Sequence, residues 1–137
     1  MKVFLDTNVL VSAFITETGS CSELFHAVVT TPEHYLITGE VVLEELQKIL
    51  RDRFQKPEGL IQDFINFLRY DEVIPKPDKP FKIPEFKDKD DLWILASALK
   101  ANADVLITGD KALLKLKKVE NLVITNPAGF WDLIKPQ

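Results

Sequence analysis

The sequence predicts an α/β fold in which a parallel sheet is covered by helices on both faces. Three observations carry that expectation. Short apolar runs alternate with amphipathic stretches from one end of the chain to the other. The runs are continuous rather than alternating, as in strands buried on both faces. The stretches between them are long enough to be the crossover helices that parallel strands need. At 137 residues the chain fits one domain, 1–137, with one substantial core. No repeat, low-complexity tract or linker interrupts it.

Five strands are expected. Val3-Phe4-Leu5 is the first, followed by a helical stretch from Val9 to Ile15 that Gly19 and Ser20 break. Ser20 and Glu23 have the spacing of a capping box and open a helix through Leu24, Phe25, Ala27 and Val28, which Thr31-Pro32 ends. Tyr35 to Thr38 is the second strand, and Gly39 turns into a long helix from Glu40 to about Phe54. After a Lys56–Gly59 loop, Leu60 to Tyr70 reads as a helix with Leu60, Ile61, Phe64, Phe67 and Leu68 on one side. Val73-Ile74 is the third strand. The segment from Pro75 to Lys89 carries four prolines and reads as an extended connection over the surface. A helix over Asp90–Ala101, a strand over Val105–Thr108, a short helix over Lys111–Lys117 and a strand over Leu122–Thr125 follow, with a last helical turn holding Phe130, Trp131 and Leu133.

Composition narrows the function. An apolar fraction of 46% and a charged fraction of 28% are ordinary for a soluble globular protein. No apolar run reaches the length of a membrane span, and Met1 to Leu5 meets Asp6 too soon for a signal peptide, so the expected location is the cytoplasm. The single cysteine, Cys21, excludes an internal disulfide and reads as a small packed side chain. His26 and His34 lie in unrelated segments, which argues against zinc. A net charge of −4 argues against a general nucleic-acid binder. The lysines nevertheless cluster, with Lys76, Lys79, Lys82, Lys87 and Lys89 before one acidic pair and Lys111, Lys115, Lys117 and Lys118 after another. They form either two solvated faces or a positive rim suited to a phosphate backbone.

Ligands of open α/β sheets gather at the carboxyl ends of the strands, so the residues just after each strand carry the functional reading. Asp6 follows the first strand and Asp110 the fourth; either also suits a helix N-cap. At about 100° per residue, Leu92, Ile94, Leu95, Ala98, Leu99 and Ala101 make one apolar arc. Asp91 falls near the middle of that arc, whereas Asp90, Trp93, Ser97 and Lys100 lie toward the other face. A carboxylate on the core side is costly unless paired, hydrogen-bonded or bound to a cation. On the Glu40 helix, Val42, Leu43, Leu46, Ile49 and Leu50 form the buried stripe; Glu44 points away and can pair with Lys48, and Glu45 sits on the margin. Four carboxylates at one sheet edge repel one another unless cations intervene, and an all-oxygen set favours Mg²⁺ or Mn²⁺. Such a centre suits phosphodiester hydrolysis. Asp6 and Asp91 are expected to anchor the ion, Glu45 and Asp110 to complete its water shell or orient the attacking water.

Phe4-Leu5-Asp6-Thr7-Asn8-Val9-Leu10, Glu45-Leu46, Asp88-Lys89-Asp90-Asp91 leading to Ala96-Ser97-Ala98, and Leu106-Ile107-Thr108-Gly109-Asp110 resemble the successive signatures of PIN domains. The likeness runs from Lys2 to Phe130 and is nearest to the group classed as toxins of bacterial and archaeal toxin–antitoxin systems. It implies a three-layer α/β/α sandwich around a mostly parallel five-stranded sheet, and a Mg²⁺- or Mn²⁺-dependent endoribonuclease. It implies that Asp6, Glu45, Asp91 and Asp110 form the acidic site, with Asn8 and Thr108 as polar supports. Among the clustered lysines, Lys89, Lys111 and Lys115 are expected on the RNA. A cognate antitoxin and a homodimer are implied as partners. The competing readings are a catalytically silent module that binds RNA or protein, and a receiver or phosphatase using Asp6. The first has no need of the acids; the second lacks an Asp two residues after Asp6.

Overall fold

The structure, a computed structural model, describes residues 1–134. Its elements run β1 (Lys2–Leu5), α1 (Thr7–Ile15), α2 (Ser20–Thr30), β2 (Tyr35–Gly39), α3 (Glu40–Asp52), α4 (Glu58–Leu68), β3 (Glu72–Ile74), α5 (Lys89–Lys100), β4 (Val105–Ile107), α6 (Lys111–Leu116), β5 (Lys118–Val119), β6 (Leu122–Thr125) and α7 (Pro127–Ile134). The sheet has the order β3-β2-β1-β4-β6-β5 within an α/β/α sandwich. All five expected strands are present and pair in parallel. The sixth, β5, was not expected. It adds two residues antiparallel to β6 at the edge, Lys118 opposite Val123 and Val119 opposite Leu122. A lysine-rich pair of this length carries no apolar run to announce it.

The order places β1 between β2 and β4, with chain leaving β1 toward one side and returning later on the other. This is the topological switch point at which an open sheet leaves a crevice beyond its strand ends. The registers Phe4 to Ile37 and Phe4 to Leu106 align the carboxyl ends of the three strands. The bond from the Asp6 amide to the Ile107 carbonyl, 2.9 Å, extends the β1–β4 ladder right up to the crevice.

The core is continuous from Val3, Phe4 and Leu5 through Ile37, Leu43, Leu46, Ile94, Leu95 and Leu106 to Phe130. Three local expectations are corrected. Ser20 does not cap α2; Gly19 does, at φ 118, with no side-chain cap bond. The Lys56–Gly59 loop is shorter than expected because Glu58 and Gly59 already belong to α4, and Glu58 is held by Arg51 at 2.6 Å. The buried face of α4 is Ile61, Ile65 and Leu68, while Leu60 and Phe67 are exposed. The proline-rich connection also does more than cross the surface. It forms no helix or strand between β3 and α5, yet Pro77 and Phe86 are buried, and the Phe81 amide donates to the Leu92 carbonyl at 3.1 Å.

Candidate functional site

Asp6 caps α1, its Oδ1 accepting the Thr7 amide at 2.7 Å. Its Oδ2 accepts the Thr108 hydroxyl at 2.6 Å, and that same hydroxyl oxygen accepts the Asp110 amide at 3.0 Å. Thr108 therefore locks the ends of β1 and β4 together and fixes the angle of both acids. Asp110 in turn caps α6, accepting the Leu113 amide at 3.0 Å. The capping role of both aspartates and their place at the crevice are compatible, because each carboxylate keeps lone pairs beyond the cap bond. Replacing Thr108 by Val removes the link while keeping the shape. The expected result is a loss of about 1–3 kcal/mol in chemical denaturation, as for a buried acceptor left without its donor.

Asp91 is 9% exposed and Asp6 4% exposed. The Asp91 carboxyl belongs to the first turn of α5, whose N-cap is Asp88, accepting the Asp90 amide at 3.0 Å. Its Oδ2 is buried with no hydrogen-bond partner, and the carboxyl faces that of Asp110. Burial, then the charges of Asp110, Asp88 and Asp6, push Asp91 up to about 8. Burial also raises Asp6, against the pull of the Thr108 and Thr7 bonds and with Asp110 and Asp88 adding to the rise. Glu45 is half-buried on α3; burial and the neighbouring charge of Asp6 raise it, followed by Asp90 and Asp88. The Thr7 hydroxyl lies near enough to favour ionised Glu45 but makes no hydrogen bond of standard geometry.

Asp6, Asp91 and Asp110 lie within reach of one another's charge, and Glu45 adjoins them on the side of Asp6. The four do not close into a cage: among the described residues no three His, Cys, Asp or Glu side chains stand at the spacing of a formed metal site. The donor chemistry nevertheless fits a hard cation, being all oxygen with one buried carboxylate atom unpartnered.

Other expected participants are placed differently. Asn8 is exposed and makes no side-chain bond to Asp6. Thr7 occupies the inward position, because α1 starts at Thr7 rather than Val9. Ser97, placed on the outer face by its projection, is fully buried and donates to the Trp93 carbonyl at 2.9 Å, since α5 packs against both β2 and α3. Asp88 was missed as a contributor; its charge acts on Asp6, Glu45 and Asp91 alike. The Asp-x-Asp cap spacing before Asp91 was the available signal. Lys111 and Lys115 are exposed on α6, and the Lys89 ammonium donates to the Pro84 carbonyl at 3.3 Å. Glu44 and Lys48 form no ion pair; the two among the described residues are Arg51–Glu58 and Arg69–Glu40.

Glu45 opens onto a cleft of about 290 Å³ that also meets Glu44, Lys48, Lys76, Asp90 and Trp93. A larger cavity of about 510 Å³ lies at the opposite, amino end of β2, among Val28, Pro32, His34, Tyr35, Phe67 and Tyr70. Size does not make it the better candidate, because no group of carboxyls converges there.

A model of the PIN domain family matches residues 2–112. The chain belongs to the PIN domain family. The matched span contains all four acids of the crevice, and PIN domains are generally nucleases. No curated protein gives a match. Among solved structures, the chain is similar to one in the crystal structure of VapBC2 from Rickettsia felis bound to a DNA fragment from their promoter. The identity is 22% and the TM-score 0.63, over 92% of this chain and 98% of that one. At that identity the likeness concerns the PIN fold. No helix among the described residues is long and apolar enough to cross a membrane.

The crowding of acids in this PIN domain carries a consequence for pH. In metal-free protein, Asp6, Glu45 and Asp91 hold their protons more tightly folded than unfolded, where carboxyls titrate at about 4. The folded chain therefore binds more protons from there up to about 8, where Asp91 ionises, and its stability falls as pH rises across that window. Urea denaturation in a chelator should show lower stability near pH 8 than near pH 5. Asp91→Asn should flatten the upper part of the profile.

Proposed function

We propose that this PIN domain is a metal-dependent endoribonuclease and the toxin of a toxin–antitoxin pair, with Asp6, Glu45, Asp91 and Asp110 as its catalytic acids. The observation that carries this reading is the buried, unpartnered Oδ2 of Asp91 facing other carboxyls. An apolar or hydrogen-bonded side chain would serve the core better, so a carboxyl in this position supports a bound cation.

Asp6, Asp91 and Asp110 would hold Mg²⁺ or Mn²⁺, with Glu45 at the margin. Such an ion supplies an activated water and stabilises negative charge on the phosphate. The side chains supply the rest. Thr108 and the Thr7 amide keep Asp6 from rotating away, and the Leu113 amide does so for Asp110. Glu45, raised by burial and by Asp6, suits the proton-accepting role at the attacking water. Asn8, exposed beside Asp6 in sequence, keeps only the role of bonding a metal-bound water. Lys89, Lys111 and Lys115 lie on the segments flanking the acids and offer positive charge to a phosphate backbone.

The structural neighbour is from VapBC2 bound to a DNA fragment from its promoter; together with the resemblance to toxin components this supports an antitoxin partner here, and the resemblance alone supports a homodimer. Incubation of a mixed RNA panel with Mn²⁺, with Mg²⁺ and with chelator tests the activity. Cleavage in both metals and none in chelator is expected; cleavage that persists in chelator would reject the metal dependence.

A further inference from the structure

The cleft beside Glu45 is lined from three directions. Glu44, Glu45 and Lys48 come from α3, Asp90 and Trp93 from α5, and Lys76 from the loop after β3. Trp93 is half-exposed, and the Lys76 ammonium stands 4.8 Å from the centre of its ring. Three carboxyls share this small cleft with two ammonium groups, yet neither lysine forms an ion pair among the described residues. Lys76 instead rests on the indole face, a contact weak enough at an exposed site to yield to a better occupant. An aromatic face with unpaired cations beside it is the combination that single-stranded nucleic acid uses, the base stacking and the phosphate meeting ammonium. The position adds to the chemistry, because Glu45 belongs both to this cleft and to the acidic crevice.

We propose that the Trp93–Lys76–Lys48 cleft is a nucleotide subsite next to the scissile phosphate, with a base stacked on Trp93 and the adjoining backbone phosphate held by Lys76 and Lys48. This rests on the nuclease reading and extends it to the path of the strand. Lys76 moves off the ring when the base arrives and turns to the phosphate. The subsite is tolerant of sequence, since every base has a π face. Glu44 and Asp90 are exposed at the cleft, where solvent screens their charge.

The chain has two tryptophans, so Trp131→Phe leaves Trp93 as its only one. In that background, with Asp91→Asn to stop cleavage, titration with a short single-stranded oligoadenylate should quench Trp93 emission. Lys48→Gln and Lys76→Gln should each reduce the salt dependence of binding by roughly 0.7 in log–log slope. In the otherwise wild-type enzyme, Trp93→Ala should raise KM by about tenfold with kcat little changed, and Trp93→Phe should recover most of it. Binding and cleavage that leave Trp93 emission and KM untouched would overturn the subsite while sparing the nuclease. A wild type that neither binds nor cuts RNA would overturn both. Quenching by an oligoarginine peptide and not by RNA would assign the cleft to a cationic protein segment and overturn the proposal.

Discussion

Asp91→Asn should abolish most of the cleavage, by about 10²–10³-fold under single-turnover conditions in Mn²⁺, and should leave the metal-free protein as stable as wild type or more so. The two halves of this result come from one cause. The Asp91 carboxyl is buried, lacks a partner at Oδ2, and is pushed up to about 8 by its surroundings. Ionised and without a cation, it opposes folding; the isosteric amide removes that charge and keeps the volume. With a cation present, the same carboxylate becomes a ligand whose loss a neutral amide does not make good. Loss of a positioned catalytic charge costs on the order of 10²–10³ in rate. A purely structural aspartate would behave in the opposite way, losing stability and rate together. Denaturation in chelator alongside the kinetics separates the two.

Glu45→Gln should reduce the same rate on the order of 10²-fold, as expected for a general base. Glu45 differs from Asp91 in being half-buried, so the amide should change metal-free stability little. The mutation should also make the acid limb of the pH–rate profile shallower, leaving the part set by the ionisation of Asp6 and Asp91. A profile unchanged in shape, with a rate near that of wild type, would remove Glu45 from the mechanism and leave the three aspartates.

The placement of the three aspartates was legible in the sequence, for reasons specific to each. Asp6 and Asp110 sit at the ends of continuous apolar runs, and a parallel sheet offers those ends to the crevice whatever the details of the loops. Asp91 stood out because α5 is long enough for its apolar arc to be read, and a carboxyl in mid-arc conflicts with that arc. What depended on a helix start was misjudged. Two residues, about 200° of helix, separate Thr7 from Val9 as the start of α1, and that choice decides whether Thr7 or Asn8 turns inward. Ser97 was misplaced because projection assumes one buried face, and α5 has two neighbours. β5 is too short to leave a pattern. The Trp93–Lys76 contact joins a helix to a proline-rich loop whose path no local signal describes.

A divalent cation shared by these carboxyls would stabilise the folded chain. Thermal melting at pH 7.5 with increasing Mn²⁺, on wild type and Asp91→Asn side by side, tests it without requiring a substrate. A ligand bound only by the folded state stabilises it by mass action, about 2.7 kcal/mol at a hundred times its Kd. The wild-type melting temperature should climb by several degrees over the millimolar range, and the Asp91→Asn curve should stay nearly flat. Equal climbs in the two proteins would mean that the ion binds elsewhere, and no climb in either would mean that the acids hold none.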